Sequence, residues 1–94
     1  MSEKIMTLHP QGKQGVNIDL GKYTTMKEAI LAAITEHGTI TFKGLNEVVG
    51  AALDGNFDGS IGWYLTTVKL DLEARGVIER LPKSSPQQIR LAQS

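Results

Sequence analysis

The sequence predicts one α+β domain that is mainly α-helical, with three helices followed by a β-hairpin and preceded by an extended segment. In three stretches the apolar residues recur at helical spacing, and capping residues or glycines bound each stretch. After the third stretch, two β-prone segments flank a tip rich in proline and serine, which is typical of a hairpin. A chain of 94 residues has the length of a single domain.

The N-terminal segment, residues 1–23, is predicted to form an extended arm or a loose hairpin. Two short apolar alternations, at residues 5–8 and 16–20, flank the turn-rich sequence PQGKQG. A two-stranded ribbon is marginally stable in water by itself. We therefore expect the arm to pack against the remaining domain, residues 24–94, or against another subunit.

Capping patterns place the first two helices. Thr25 and Glu28 fit a capping box, so the first helix is predicted to begin at Thr25 and to end at Gly38 in a left-handed conformation. Thr41 is expected to cap a second helix that continues through Leu53.

The third helix has two apolar faces. Asp58 or Ser60 is expected to cap it, and it is predicted to continue to about Arg75, with Gly76 as its stop. One face is a core stripe formed by Ile61, Leu65, Val68 and Leu72. At about 100° per residue, a second apolar face lies opposite and carries Trp63, Thr67, Leu70 and Ala74.

The composition argues against some classes of function and excludes others, although zero net charge still permits a local basic patch. Ten basic and ten acidic residues give zero net charge, whereas domains that grip phosphate backbones are usually basic. The absence of cysteine excludes disulfides, zinc–thiolate sites and thiol catalysis. No apolar run approaches the roughly 20 residues that span a bilayer, and no signal peptide is evident. We expect a cytoplasmic protein that does not bind membranes.

The segment DGNFDGSIGWYL, residues 54–65, begins like a calcium-binding EF-hand loop. The residues that match its first ligand positions are Asp54, Asn56, Asp58, Gly59 and Ser60. The closing position requires a bidentate acid, but Leu65 occupies it and has no side-chain oxygen. We therefore expect a turn between two helices, and neither a metal nor a cofactor.

The order of elements, together with the sequence LEARGVIER at residues 72–80, resembles winged helix-turn-helix domains of MarR, ArsR and PadR regulators. This resemblance covers Thr25 to Ala92. The whole chain, with LHPQG near its start and the FDGSIGWY block, also resembles a small uncharacterised bacterial family. The first resemblance implies a winged-helix fold with the hairpin as its wing, and a DNA-associated, transcription-regulator-like role.

The DNA hypothesis assigns specific residues to double-stranded DNA. The third helix would approach the major groove through Thr66 and Lys69, and Lys69 alone in mid-helix suits base readout. The wing would hold phosphates through Arg80, Lys83 and Arg90, with Ser84 and Ser85 as hydrogen-bond donors.

The rival hypothesis is a protein-interaction module without nucleic acid. Its surface is the face formed by Trp63, Leu70 and Ala74, and its partner is another protein or a second copy of the chain. Tryptophan is enriched at binding hot spots. A purely structural alternative is that the N-terminal arm covers Trp63.

No catalytic constellation is evident, and we expect that the protein is not an enzyme. Asp71 and Glu73 are two positions apart on a helix and face different ways. Ser60 lies in GSIG, which lacks the spacing of a nucleophile elbow. His9 and His37 form no metal-binding cluster.

Overall fold

The computed structural model describes residues 3–12, 15–81 and 86–92. These residues form three helices and two small antiparallel sheets. In chain order the elements are β1 (Lys4–Met6), β2 (Asn17–Asp19), α1 (Leu20–His37), β3 (Thr39–Thr41), α2 (Phe42–Leu53), α3 (Ile61–Ala74), β4 (Ile78–Arg80) and β5 (Gln88–Leu91). The predicted α+β class is confirmed.

The N-terminal arm is a two-stranded antiparallel ribbon of β1 and β2. Ile5 lies opposite Ile18, and both side chains pack against the hydrophobic core. The hairpin alternative is thus the one the chain adopts, and it rests on the helical part of the molecule.

The predicted start of the first helix at Thr25 is wrong. Helix α1 begins at Leu20, because the carboxylate of Asp19 accepts a hydrogen bond from the backbone N–H of Lys22 at 3.0 Å. Aspartate at this position satisfies a helical N–H that otherwise lacks a partner. Residues 20–23 therefore belong to α1 rather than to the arm. The predicted end is confirmed, since Gly38 follows the helix with a φ of 78°.

The predicted limits of the other two helices are confirmed. The Thr41 hydroxyl accepts from the N–H of Gly44 at 3.0 Å and caps α2. The Ser60 hydroxyl accepts from the N–H of Trp63 at 3.2 Å and caps α3. Side-chain oxygens before a helix stabilise it by about 1 kcal/mol each.

The EF-hand-like segment forms the turn between α2 and α3. Gly55 and Gly59 have φ values of 76° and 123°, which other residues rarely adopt. Leu65, at the closing position of the loop pattern, is fully buried in the core. In the described residues, no group of three or more His, Cys, Asp or Glu side chains could hold a metal ion.

The second sheet has the order β3–β5–β4, and both of its pairings are antiparallel. Strands β4 and β5 form the predicted C-terminal hairpin, whose tip at residues 82–85 lies outside the described residues. Ile89 of β5 lies opposite Ile40 on one side and Arg80 on the other. The segment between α1 and α2 thus supplies β3, the third strand of this sheet.

One hydrophobic core joins the helices to both sheets. The core stripe predicted for α3 is confirmed, with Leu65, Val68 and Leu72 fully buried and Ile61 half-buried at its end. The buried residues of the other two helices are Tyr23, Met26, Ile30, Ala33, Ile34, Leu45, Val49 and Leu53. In the described part of the chain, no helix has the length and apolar character needed to cross a membrane.

Replacing Leu65 by alanine should lower the free energy of unfolding by about 2–5 kcal/mol, because it leaves a cavity in the core. Leu91→Ala is the matched control, since the Leu91 side chain is 39% exposed and surface changes usually cost about 0.5 kcal/mol or less. Urea denaturation followed by circular dichroism measures both. Equal losses in the two variants would contradict the buried position of the α3 stripe.

Candidate binding site

Asp71 of α3 is a fully buried carboxylate. One of its oxygens accepts from the backbone N–H of Leu8 at 2.8 Å, and the other accepts from the hydroxyl of Tyr23. The Nε of Arg75 lies 2.9 Å from both oxygens. A buried carboxylate without partners is strongly destabilising, so these groups must remain together in the folded chain. We call Leu8, Tyr23, Asp71 and Arg75 the Asp71 latch.

The latch holds Leu8 in the segment that joins β1 to β2, and we call the described residues of this segment, 7–12 and 15–16, the arm loop. The Thr7 hydroxyl donates to the carbonyl of Val16 at 3.0 Å and accepts from the N–H of Val16 at 2.9 Å. The N–H of Thr7 also donates to that carbonyl at 2.8 Å. The two ends of the arm loop are thereby held together.

Gly15 allows the two sides of the arm loop to approach closely. A Cβ atom at this position would lie 1.8 Å from the carbonyl oxygen of Thr7, so only glycine fits there. This close approach brings Val16 beside Thr7 and gives the loop its shape.

A cleft of about 190 Å³ lies between the arm loop and the outer side of α3. We call it the Trp63 cleft. Its lining residues are Thr7, Leu8, His9, Gly15, Val16, Trp63, Thr67 and Leu70. None of these side chains is an acid, a lysine or an arginine. Small-molecule sites usually measure about 300–1,000 Å³, so this cleft suits a single large side chain better than a drug-sized ligand.

Aromatic packing holds Trp63 in place although 48% of its surface is exposed. The indole meets the ring of Tyr64 edge-on at 4.9 Å between centroids. Tyr64 in turn meets Phe57 of the α2–α3 turn edge-on at 5.2 Å. The arm loop lies beside Trp63 without covering it, so the indole remains available to a partner.

The predicted interaction face is partly assembled at this cleft. Trp63 and Leu70 line it, together with Thr67 of the same helical face. Ala74 is half-buried on α3 and does not belong to the lining.

The DNA-contacting residues predicted on α3 lie in two different environments. Thr66 is exposed, and its hydroxyl donates to the carbonyl of Gly62 at 3.0 Å. Lys69 is buried, with 8% of its surface exposed, and its Nζ lies 3.1 Å from the carboxylate of Glu73. The same nitrogen is 5.2 Å from the centre of the Phe42 ring. Lys69 therefore points to internal partners.

The wing cations also face carboxylates. The Nε of Arg80 lies 3.3 Å from Glu73, and the Nε of Arg90 lies 2.6 Å from Glu79. Lys83, Ser84 and Ser85 lie outside the described residues. From Ile61 onward, each lysine or arginine that the structure describes is thus within 4.0 Å of an acid.

Burial and the Asp71 carboxylate set the protonation of the latch. The pKa of Tyr23 is raised from 10.0 to about 12. Burial is the largest cause, and the hydrogen bond to Asp71 is the second. The hydrogen bond to Asp71 also raises the pKa of the Arg75 guanidinium. Both groups donate to Asp71 in their protonated forms, and the raised pKa values extend that protonation to higher pH.

Sequence reasoning identified the α3 half of the cleft and offered the N-terminal arm as a cover for Trp63, but it did not identify the arm residues that line the cleft. It also missed the buried position of Asp71. The available signal was a charged residue between two apolar ones, Leu70 and Leu72, on a helix with two apolar faces. A charge flanked in this way is either exposed at the boundary of the two faces or paired in the interior.

Residues 4–89 match a family described as "Family of unknown function (DUF6958)". The chain belongs to this family. The match to DUF6958 includes the latch and every lining residue of the Trp63 cleft. Comparison with curated proteins and with solved structures gave no match. The predicted resemblance to an uncharacterised family is thus confirmed, whereas no comparison supports a relationship to MarR, ArsR or PadR regulators.

The Asp71 latch should make the protein lose stability between about pH 10 and 12. The unfolded chain releases the Tyr23 proton near pH 10.0, but the folded chain holds it to about 12. Stability from this group is therefore complete below pH 10 and is lost as the pH rises to 12, by at most about 3 kcal/mol.

Urea denaturation of the native chain and of Tyr23→Phe, between about pH 9 and 11.5, measures this loss. Tyr23→Phe should be less stable at neutral pH by about 1–3 kcal/mol, because Asp71 loses a donor, and should decline less at high pH. Tyr64→Phe replaces the other tyrosine of the chain. This variant should lose stability at high pH as the native chain does. A native profile unchanged by Tyr23→Phe would refute the latch.

Proposed function

We propose that the chain is a protein-interaction module whose Trp63 cleft holds an apolar side chain of a partner protein. The observation that carries this proposal is the half-exposed indole of Trp63 at the edge of a cleft whose described lining contains no acid, lysine or arginine. Full burial of a large aromatic side chain would stabilise the folded chain by roughly 2–3 kcal/mol, and an exposed one does not contribute this free energy. Tryptophans in such positions are frequent hot spots of binding.

The lining indicates the chemistry of the partner segment. Leu8, Val16 and Leu70 offer apolar surface, and the polar groups of the lining belong to two threonines and one histidine. The described lining residues include no acid, lysine or arginine that could pair with a carboxylate or ammonium group that loses its water there. We therefore propose a neutral segment that presents one large side chain, such as leucine, methionine or phenylalanine.

We further infer a winged-helix arrangement for residues 24–94. The support is the order of elements, with the strand before α2 pairing to the hairpin that follows α3 in the order β3–β5–β4. Winged helices serve as DNA-binding and as protein-binding modules, so the arrangement favours DNA association as a second candidate function.

The charge distribution makes DNA the weaker candidate. Binding to duplex DNA draws most of its affinity from lysines and arginines that replace counterions at phosphates. Lys69, Arg80 and Arg90 already lie beside Glu73 or Glu79. Each would have to leave a carboxylate in order to reach a phosphate, and the net charge of the chain is zero.

A displayed library of short peptides tests the interaction module. With the protein at about 0.1 μM, selection should enrich neutral sequences that contain one large apolar residue. The selected peptides should bind at least tenfold more weakly to Trp63→Ala, because removing a hot-spot side chain costs about 2 kcal/mol or more. Fluorescence of the single tryptophan measures binding to the native chain, and anisotropy of labelled peptide measures the variants.

Phe42→Ala is the matched control, because Phe42 is also an exposed aromatic residue, 37% accessible, but lies on α2. It should bind the selected peptides as the native chain does. Circular dichroism must show that Trp63→Ala keeps its helices. Peptides that bind Trp63→Ala and the native chain equally would exclude the cleft as the binding site.

Titration with random duplex DNA tests the second candidate. Since the described cations of α3 and the wing are paired, we expect no binding at about 50 mM salt. The result that would establish the DNA function is binding that weakens steeply with added salt, with a flatter slope in the double variant Lys83→Ala, Arg90→Ala. The double variant Lys27→Ala, Lys43→Ala, with one lysine from α1 and one from α2, is the control for the loss of two positive charges.

A further inference from the structure

His9 is the one titratable side chain among the described residues that line the Trp63 cleft. It is half-buried, and it directly follows Leu8, whose backbone N–H is held by Asp71. A histidine side chain ordinarily changes its charge between about pH 5 and 8. The imidazole therefore gives the cleft a group whose charge can change near neutral pH.

Two hydrogen bonds fold the chain into a turn after His9. The N–H of Gly12 donates to the carbonyl of His9 at 2.9 Å, and Gly12 has a φ of 75°. The N–H of Gln11 donates to Nδ1 of the His9 imidazole at 3.1 Å. Nδ1 can accept only while it carries no proton, so the neutral imidazole in this turn has its proton on Nε2. Protonation of Nδ1 converts the acceptor into a donor and removes the bond to Gln11.

The cleft offers no carboxylate to a positively charged His9. Its lining contains no acid, and the residues outside the described ranges include no aspartate or glutamate. On α3, Asp71 accepts from the N–H of Leu8 and is paired with Arg75 at 2.9 Å. Lys13 belongs to the same segment of the sequence, lies outside the described residues, and carries a like charge. An imidazolium in this cleft would therefore depend on water for its stabilisation.

An apolar occupant of the cleft would remove that water. Burial without an opposite charge disfavours the charged form of an ionisable group. An occupant beside Trp63 thus favours the neutral imidazole, and protonation of His9 disfavours the occupant to the same extent, because the coupling is reciprocal. The affinity is complete where the imidazole is neutral and falls as the pH decreases through the range in which it takes up a proton. One proton limits this fall to about tenfold per pH unit.

We propose that protonation of His9 releases the partner segment from the Trp63 cleft, so that the chain binds it at neutral pH and dissociates from it in mildly acidic surroundings. This inference rests on the proposed function, since it concerns the regulation of the same cleft. It depends on two features of the described structure, the place of His9 in the lining and the acceptor role of its Nδ1.

Anisotropy of a labelled peptide at about pH 8 and about pH 5.5 tests the proposal. The peptide is one selected from the displayed library at the higher pH, without acidic residues or histidine, so that the probe itself does not titrate. The native chain should bind it about tenfold more weakly at the lower pH. His37→Asn should show the same loss, because His37, the other histidine of the chain, is exposed at the end of α1. Circular dichroism should give the same helical signal at both pH values.

His9→Asn removes the titrating group but keeps the turn, because an asparagine side chain also accepts from the backbone N–H two positions further on. It should bind the peptide with equal affinity at both pH values. The same weakening in His9→Asn as in the native chain would overturn the proposal, as would a native affinity that does not change with pH. Failure of every peptide to bind even at about pH 8 would instead refute the interaction module, and this inference with it.

NMR of the chain without peptide tests the turn independently of any partner. In the native chain at about pH 8, the nitrogen chemical shifts of the His9 imidazole should show a proton on Nε2 and none on Nδ1. The amide resonance of Gln11 should change with pH together with the imidazole, and in His9→Asn it should stay constant. A neutral imidazole with its proton on Nδ1 could not accept from Gln11 and would contradict the proposal.

Discussion

The buried carboxylate of Asp71 is the constraint on which the N-terminal third of the molecule depends. Strands β1 and β2 contain three residues each, too few to be stable by themselves. Asp71 joins this ribbon to α1 and α3 by accepting from Leu8, Tyr23 and Arg75 at once. Hydrogen bonds to a buried charge contribute about 1.5–3 kcal/mol each, and more is lost when one partner is removed. The position of the arm loop, and with it one wall of the Trp63 cleft, follows from this carboxylate.

A second buried acid organises the opposite side of α3. The Glu73 side chain is 5% exposed, and it lies within 3.3 Å of both Lys69 and Arg80. Lys69 is thus paired with Glu73, and Arg75 is paired with Asp71, so each of these cations lies beside a carboxylate of α3. The described residues that line the cleft include no acid, lysine or arginine, so we expect little electrostatic steering of association there. Complex formation should then proceed at the ordinary rate of about 10⁵–10⁷ M⁻¹s⁻¹ and depend only weakly on salt.

Local signals made much of the fold predictable. Thr41 and Ser60 cap their helices, and Gly38 ends α1, through contacts with residues three or four positions away, which a sequence displays directly. The start of α1 was mispredicted because two capping candidates compete there, and burial of Tyr23 in the first turn selects the earlier one. Helical spacing correctly separated the two faces of α3, but it does not reveal what covers each face. The burial of Asp71 depends on Leu8, 63 positions away, and no local pattern contains that contact.

Leu8 belongs to both the latch and the cleft, and this double role couples them. Its backbone N–H is held by Asp71, while its side chain lines the cavity beside Trp63. Under the proposed function, an occupant that contacts the Leu8 side chain should bind the latched chain in preference, and its apparent affinity should fall with the latched fraction. At neutral pH the phenol of Tyr23 is protonated, as a tyrosine of ordinary pKa also is, and it donates to Asp71. The described residues that line the cleft are then in position before a partner binds, so binding does not include the entropy cost of ordering them.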